Sequence, residues 1–259
     1  MTAGIPVDGG TGMSGGAAPA AVDAALQEVF SRIHARQTQA TAAVVAAAGT
    51  TQELAEHAFA GAVGLAEAAI QAQPGRAHHA CARGCNWCCH QLVRVSPVEA
   101  IAISGIIREH CPPPQLARVR AVLTDRATRI ARLTDLVAYH AAGLRCGFLD
   151  SDGACSIHAW RPLVCRGHAS MSRAACEEWY VDPLGAPPPP LDRATRLIAL
   201  GVLHGMQDSL RAAGREAGTF YELHHAVLRA LDTPDAAARW ARGEALFAGC
   251  MTVVGRKID

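Results

Sequence analysis

A mainly α fold is predicted for this chain of 259 residues by three observations: its alanine-rich composition, the three- and four-residue spacing of its apolar side chains, and the gathering of its cysteines into two short segments. Half of the residues are hydrophobic, but only 5% are aromatic. Strands draw on β-branched and aromatic side chains and helices on alanine and leucine, so the balance favours packed helices. A chain of this length buries one large core, or one core with a small satellite. The architecture expected is a helical domain with cysteine-rich loops between helices, with room for a short hairpin within 145–166.

Residues 1–20 are glycine, alanine and small polar residues with no periodic apolar face, and are expected to form a disordered tail. They have neither the basic start nor the apolar stretch of a secretory signal, which points to a cytoplasmic protein. Two alanine-rich helices follow at 21–48 and 52–72, an N-terminal hairpin filling 21–75. Gly49 suits a helix stop, Thr50 with Glu53 a capping box, and Pro74-Gly75 a chain reversal. Ser96, Pro97 and Glu99 read as N-cap, first helical residue and capping-box partner of a helix running to about His110, where three prolines stop it. Leu116, Val119, Leu123, Ile130, Leu133 and Val137 then mark one amphipathic helix ending near Gly143.

The segment 145–170 is irregular, with Asp152-Gly153 as a turn, and a brief helix is expected at 172–179. A stiff proline-rich linker spans 181–190, separating a cysteine domain at 76–180 from a C-terminal helical region at 191–259. That region carries helices at about 192–213, at 220–231 behind a Thr219/Glu222 capping box, and at 234–247 behind Thr233. Gly201 and Gly205, four apart on the first of these, allow a second helix to approach closely.

Charge excludes some partners. Lys and Arg number 24 against 23 Asp and Glu, so there is no basic face for nucleic acid. No apolar stretch is long enough to span a bilayer.

Ten cysteines without an export signal point to metal or redox chemistry rather than disulfides. Cys111 and Cys250 stand apart and read as small buried hydrophobes. The first segment runs Cys81-Ala-Arg-Gly-Cys85-Asn-Trp-Cys88-Cys89-His90. Thiolates three and four positions apart let a tight loop wrap a tetrahedral ion or one corner of a cluster. Cys88 and Cys89 are adjacent and diverge in an extended chain, so they serve two metals, or one ligates while the other supports. The second segment supplies Cys146, Cys155 and Cys165, with Cys176 a further candidate, and the fold is expected to bring both segments together. From Arg76 to Val98 there are three arginines and no acid, which favours thiolates. Asp150 and Asp152 are explained by turn formation. His90, His158 and His168 are candidate ligands; His78, His79, His224 and His225 read as structural. Trp87 and Phe148 are expected to shield the site.

The order Cys81-x3-Cys85-x2-Cys88-Cys89, then Cys146-Gly-Phe-Leu, Cys155-Ser-Ile-His and Arg161-Pro162-Leu-Val-Cys165-Arg166, resembles the YkgJ-like cysteine-cluster family over 81–166, about a third of the chain. These are bacterial proteins described as zinc- or iron-chelating and sometimes as Fe–S oxidoreductases. The resemblance also brings in, distantly, a flagellin lysine methylase as a holder of an iron–sulfur cluster. The resemblance implies Cys81, Cys85, Cys88, Cys89, Cys146, Cys155 and Cys165 as metal ligands; Arg161 and Arg166 are expected beside them, offsetting thiolate charge. Two functions remain. One is an iron–sulfur cluster serving redox or cluster-dependent chemistry, as a redox partner or an enzyme, favoured by the excess of thiols over one tetrahedral site. The other is a structural zinc protein acting as an interaction module, favoured by the lack of a general base or substrate pocket. Thiol–disulfide exchange lacks the strand–helix alternation of its usual frame.

Overall fold

The computed structural model describes residues 19–133 and 136–252. Most of the tail expected at 1–20 lies outside them. The first helix, α1, runs Pro19–Ala48 and stops where Gly49 turns left-handed at φ +61°. Helix α2 spans Leu54–Gln71. Its N-cap is Glu53, which makes no side-chain cap bond, so the Thr50/Glu53 capping box does not form. Instead Leu54 N donates to Thr51 O across the turn at 3.2 Å.

Strand β1, Arg94–Val95, leads into α3, Pro97–His110. Here the capping box at Ser96 and Glu99 is complete. Proline at the first helical position of α3 and again of α4, Pro113–Ile130, supplies a fixed φ where no amide donor is needed. The amphipathic stretch is two helices rather than one. The second, α5, is Leu136–Ala141. The break lets Ile130, Tyr139 and Leu144 bury one another in a small cluster of their own, which one straight helix could not do. Gly143, at φ +57°, ends α5 as expected.

The second cysteine loop contains a 3-10 turn, His158–Trp160, and the one-turn α6, Leu163–Arg166, before α7, Arg173–Val181. Ser172 caps α7, accepting from Ala175 N at 3.2 Å. The proline run at 187–190 does not hang free: Met171 N donates to Pro190 O at 2.9 Å, and Pro189 is buried. Asp192 then caps α8, Arg193–Ala212.

Strand β2, Tyr221–Glu222, pairs antiparallel with β1, Arg94 opposite Glu222 and Val95 opposite Tyr221. This is the one ladder among the described residues, and it lies outside 145–166. That segment holds a tight turn closed by a single antiparallel bridge, Leu149 with Cys155. Helix α9, Leu223–Asp232, is capped by Glu222 rather than Thr219, because the carboxylate accepts from His225 N at 2.9 Å. The last described helix, α10, is short, Ala236–Ala241. Thr233 does not open it; its hydroxyl donates back to Arg229 O at 2.7 Å, closing α9.

The core is one apolar cluster drawn from α2, α3, α4, α8, α9 and α10, with Phe59, Ile103, Leu123, Leu203, Met206, Trp240 and Phe247 fully buried. Helix α1 lies along α8. A Cβ on Gly201 would stand 3.0 Å from Phe30 O, and one on Gly205 2.4 Å from His34 O, so glycine is what lets the two backbones meet.

Candidate metal centre

The first cysteine loop runs through β1 into α3, and the second is tied to the start of α3. Glu99 is fully buried and binds on two sides: Oε2 accepts from Ser96 N at 2.8 Å and Ser96 Oγ at 2.7 Å, while Oε1 accepts from Leu163 N at 2.9 Å. The carboxylate that caps α3 thus also caps the start of α6 and places Cys165 one turn further on. Burial pushes the Glu99 carboxyl up from its ordinary range, against the pull of these donors. The Arg161-Pro162 step starts α6, with Cys165 N donating to Pro162 O at 3.0 Å.

The first loop turns at Gly84, φ +82°, with Cys85 N donating to Ala82 O at 3.0 Å. Trp87–His90 forms a 3-10 turn that carries Cys88 and Cys89. Its backbone meets the second loop directly: Cys146 N donates to Cys89 O at 2.7 Å. Gly153, at φ +74°, lies so close to Asn86 that a Cβ would stand 2.6 Å from Asn86 Nδ2. The two loops, far apart in sequence, therefore touch at both ends of the Asn86–Cys89 stretch.

The thiols follow. Cys88 is engaged with the Cys89 thiol, and that bond and burial drive its pKa far upward. Burial lifts Cys155 as well, with Cys146 and Cys88 adding to the push. Part of the Cys165 surface is reachable by solvent, but protein surrounds its sulfur. Burial first, then Cys146, Cys88 and Cys155, raise its pKa well above the ordinary range. Cys88 and Cys146 disfavour ionisation of both Cys155 and Cys165, and Cys155 adds to the push on Cys165, which requires proximity. The single opposing influence common to Cys88, Cys155 and Cys165 is Arg161, whose buried Nε has no protein partner.

A second, looser set adjoins the first. Cys81 is exposed, but its sulfur accepts from Ser170 N at 3.4 Å. Cys176 is buried on α7, and its pKa is raised by burial and by Cys81, Cys85 and Cys88. Cys88 thus sits between both sets. Cys111 ends α3 and Cys250 follows Phe247, both packed as partly buried apolar groups against the main core.

The arginines differ. Arg166 is turned chiefly away from the thiols; it is buried, forms an ion pair with Glu67, and donates to Ala159 O and Arg161 O. Arg94 lies over the Phe220 ring at 4.6 Å. Arg161 is the arginine that acts on Cys88, Cys155 and Cys165 together.

Among the histidines, His79 is held by Asp192 at 2.8 Å and His78 is exposed. His90 stacks on Tyr180 at 4.4 Å, with its buried Nδ1 unpartnered and its pKa lowered by burial and by Arg145. His158 and His168 are likewise lowered, first by burial and then by nearby arginines, so both are neutral imidazoles. His168 lines a narrow crevice with Trp87, Cys88, Cys176, Trp179 and Pro189. Trp87 covers the site with Tyr180, 5.3 Å between rings, whereas Phe148 is buried in the core and stacks on His224.

His224 is not legible as a site residue from the sequence. It is 3% exposed, its Nδ1 lies 2.6 Å from Glu222 Oε1, and its Nε2 accepts from Gly147 N at 2.9 Å. Burial opposes charging this ring, while Glu222 and the Cys146 thiol favour it and win on balance. The Gly147 contact decides differently: an imidazolium has no lone pair to offer an N–H donor, so the proton sits on Nδ1 toward the carboxylate. Glu222 accepts that Nδ1 proton and so fixes the tautomer whose Nε2 faces Gly147.

Sulfur donors of this kind are what zinc and iron–sulfur clusters take, and no carboxylate competes among them. The donor chemistry fits a metal. Among the described residues no three His, Cys, Asp or Glu side chains stand closed around one point, so the thiols are gathered without forming a finished coordination sphere. Residues 80–182 match a family model, CxxCxxCC, described as a putative zinc- or iron-chelating domain. The match spans both cysteine loops and α7, and supports metal binding without separating zinc from iron. No curated protein and no solved structure matches the chain.

Proposed function

We propose that this chain, whose residues 80–182 match the CxxCxxCC chelating family, uses that segment to hold an iron–sulfur cluster for redox or cluster-dependent chemistry. The observation that carries the reading is the meeting of the two loops, Cys146 N on Cys89 O at 2.7 Å, which gathers thiols such that Cys88 and Cys146 both raise Cys155 and Cys165. Four thiolates are the ordinary complement of such a cluster. In this reading those four are the principal ligands, Cys89 supports Cys88, and Cys81, Cys85 and Cys176 form an adjacent reserve. When bound, the cluster would supply one-electron chemistry at a potential set by charge and solvent around it.

The remaining roles belong to the chain. Arg161 offsets the negative charge of the sulfurs and holds it in a partly dry setting. Trp87 and Tyr180 cover Cys88 and keep solvent from it. Glu99 ties both loops to one helix, so their spacing is set by α3 rather than by the loops.

A structural zinc site is the second reading. It is favoured by the narrowness of the crevice at Cys88, which leaves little space for a substrate. Purification without oxygen separates the two. Thiolate-bound iron with acid-labile sulfide and visible absorption supports the cluster; a colourless protein containing zinc alone sinks it.

A further inference from the structure

We infer that Glu222 and His224, which lie outside the matched segment, are positioning residues for Cys146: together they hold the Cys146-Gly147 corner where a metal-ligating sulfur must stand. The inference rests on the reading of Cys146 as a ligand. Glu222 is fully buried and bonds Nδ1 of His224 at 2.6 Å, fixing the ring; Nε2 then accepts from Gly147 N at 2.9 Å. The ring meets that corner with its Nε2–Cδ2 edge. A Cβ on Gly147 would stand 3.2 Å from His224 Cδ2 and 3.1 Å from Val122 Cγ1, so the approach is tight. Phe148 stacks on the imidazole, 6.1 Å between rings at 16°, which restrains it further.

Glu222 is itself anchored twice. It lies in β2 opposite Arg94, at the end of the first cysteine loop, and it caps α9 through His225 N. The short ladder between β1 and β2 thereby links the strand that leaves Cys89 to the pair that holds Cys146. Groups behind a metal ligand that fix its orientation typically cost about 10–100-fold in metal affinity when lost.

The test is a cobalt(II) titration of the metal-free, full-length protein without oxygen, read by thiolate-to-cobalt absorption. His224→Phe keeps the ring's bulk and removes its acceptor. It is expected to weaken cobalt binding about tenfold or more and to alter the absorption. His224→Gln, whose side-chain oxygen can still accept from Gly147 N, is expected to restore most of the affinity. In a Cys146→Ala background His224→Phe should cost nothing further. Unchanged affinity and spectrum in His224→Phe would overturn the inference, as would an equal loss with and without Cys146, which marks general weakening of the fold. Should His224→Phe fail to fold by circular dichroism, Glu222→Gln carries the same comparison with and without Cys146. A wild-type protein that gives no thiolate–cobalt absorption overturns the metal reading itself. Binding that ignores position 224 overturns this inference alone.

Discussion

Two places in the molecule bring distant segments together, and they are built on opposite terms. Where α1 crosses α8, contact is chiefly by shape: Gly201 and Gly205 remove side chains and the backbone of α1 fills the space, with His34–Asp208 and Asp23–Arg193 pairs at the margin. Where the cysteine loops meet, contact is by a few directed bonds, Cys89 O to Cys146 N and Glu99 to Leu163 N, around thiols that repel one another when charged. Among the buried polar atoms without partners, Trp87 Nε1, His90 Nδ1 and Arg161 Nε lie at that second place, against Gln37 Oε1 at the first. A crossing of the first kind is complete in the folded chain. One of the second kind gains most from a bound cation, because metal binding to gathered thiolates becomes part of the folding free energy.

The comparison breaks most sharply at Glu99. Glu99→Ala leaves buried donors on Ser96 and Leu163 unmatched, and is expected to cost about 3 kcal/mol of stability. It should also lower metal content, since α6 and Cys165 lose their anchor; chemical denaturation alongside metal analysis checks both. Gly205→Ala should cost about 2 kcal/mol by overpacking, yet leave metal content unchanged. A fall in metal content in that variant would show that the two regions are not independent.

A pH-dependent test comes next. Burial works to raise the Asp192 carboxyl, but its bonds from His79 and Thr195 outweigh this and leave its pKa lowered. A carboxylate depressed in the folded state contributes stability above its unfolded pKa, near 4, and loses it as pH falls through the folded value. Asp192→Ala should therefore lose about 1 kcal/mol at neutral pH, including the cap of α8, and show a flatter decline below about pH 4 than wild type. Thermal melts across pH 3–7 measure this. The smallest effects belong to Cys111→Ala and Cys250→Ala, each expected to cost about 1 kcal/mol or less, with metal content unaltered.

The same contrast explains what the sequence disclosed. Signals that act within one turn of helix were readable: the Ser96-Pro97-Glu99 start, the Asp192 start, the Gly49 stop, and the spacing of Gly201 and Gly205. Identical letters misled where a longer-range partner intervened. Thr219/Glu222 resembles a capping box as closely as Ser96/Glu99 does, but Glu222 is drawn into a strand beside Arg94 and onto His224. Ile130 breaks the amphipathic helix because Tyr139 and Leu144 offer it a better burial than a straight continuation. At the site, the cysteines announced themselves by spacing, and their convergence was foreseeable from the two proline-bounded helices between the loops. The roles of Arg166 and His224 were not foreseeable, since Glu67 and Cys146 are distant in sequence and no local pattern names them.

The central claim is that thiols from both loops serve one metal centre. Its most direct measurement is metal content, by elemental analysis, of Cys88→Ala, Cys155→Ala and Cys165→Ala, each purified without oxygen, alone and in pairs. A shared centre predicts that any one substitution removes the same metal and that pairs remove no more. If Cys88→Ala and Cys165→Ala each removed a different share, adding up in the pair, the loops would be holding separate metals and the shared centre would be contradicted.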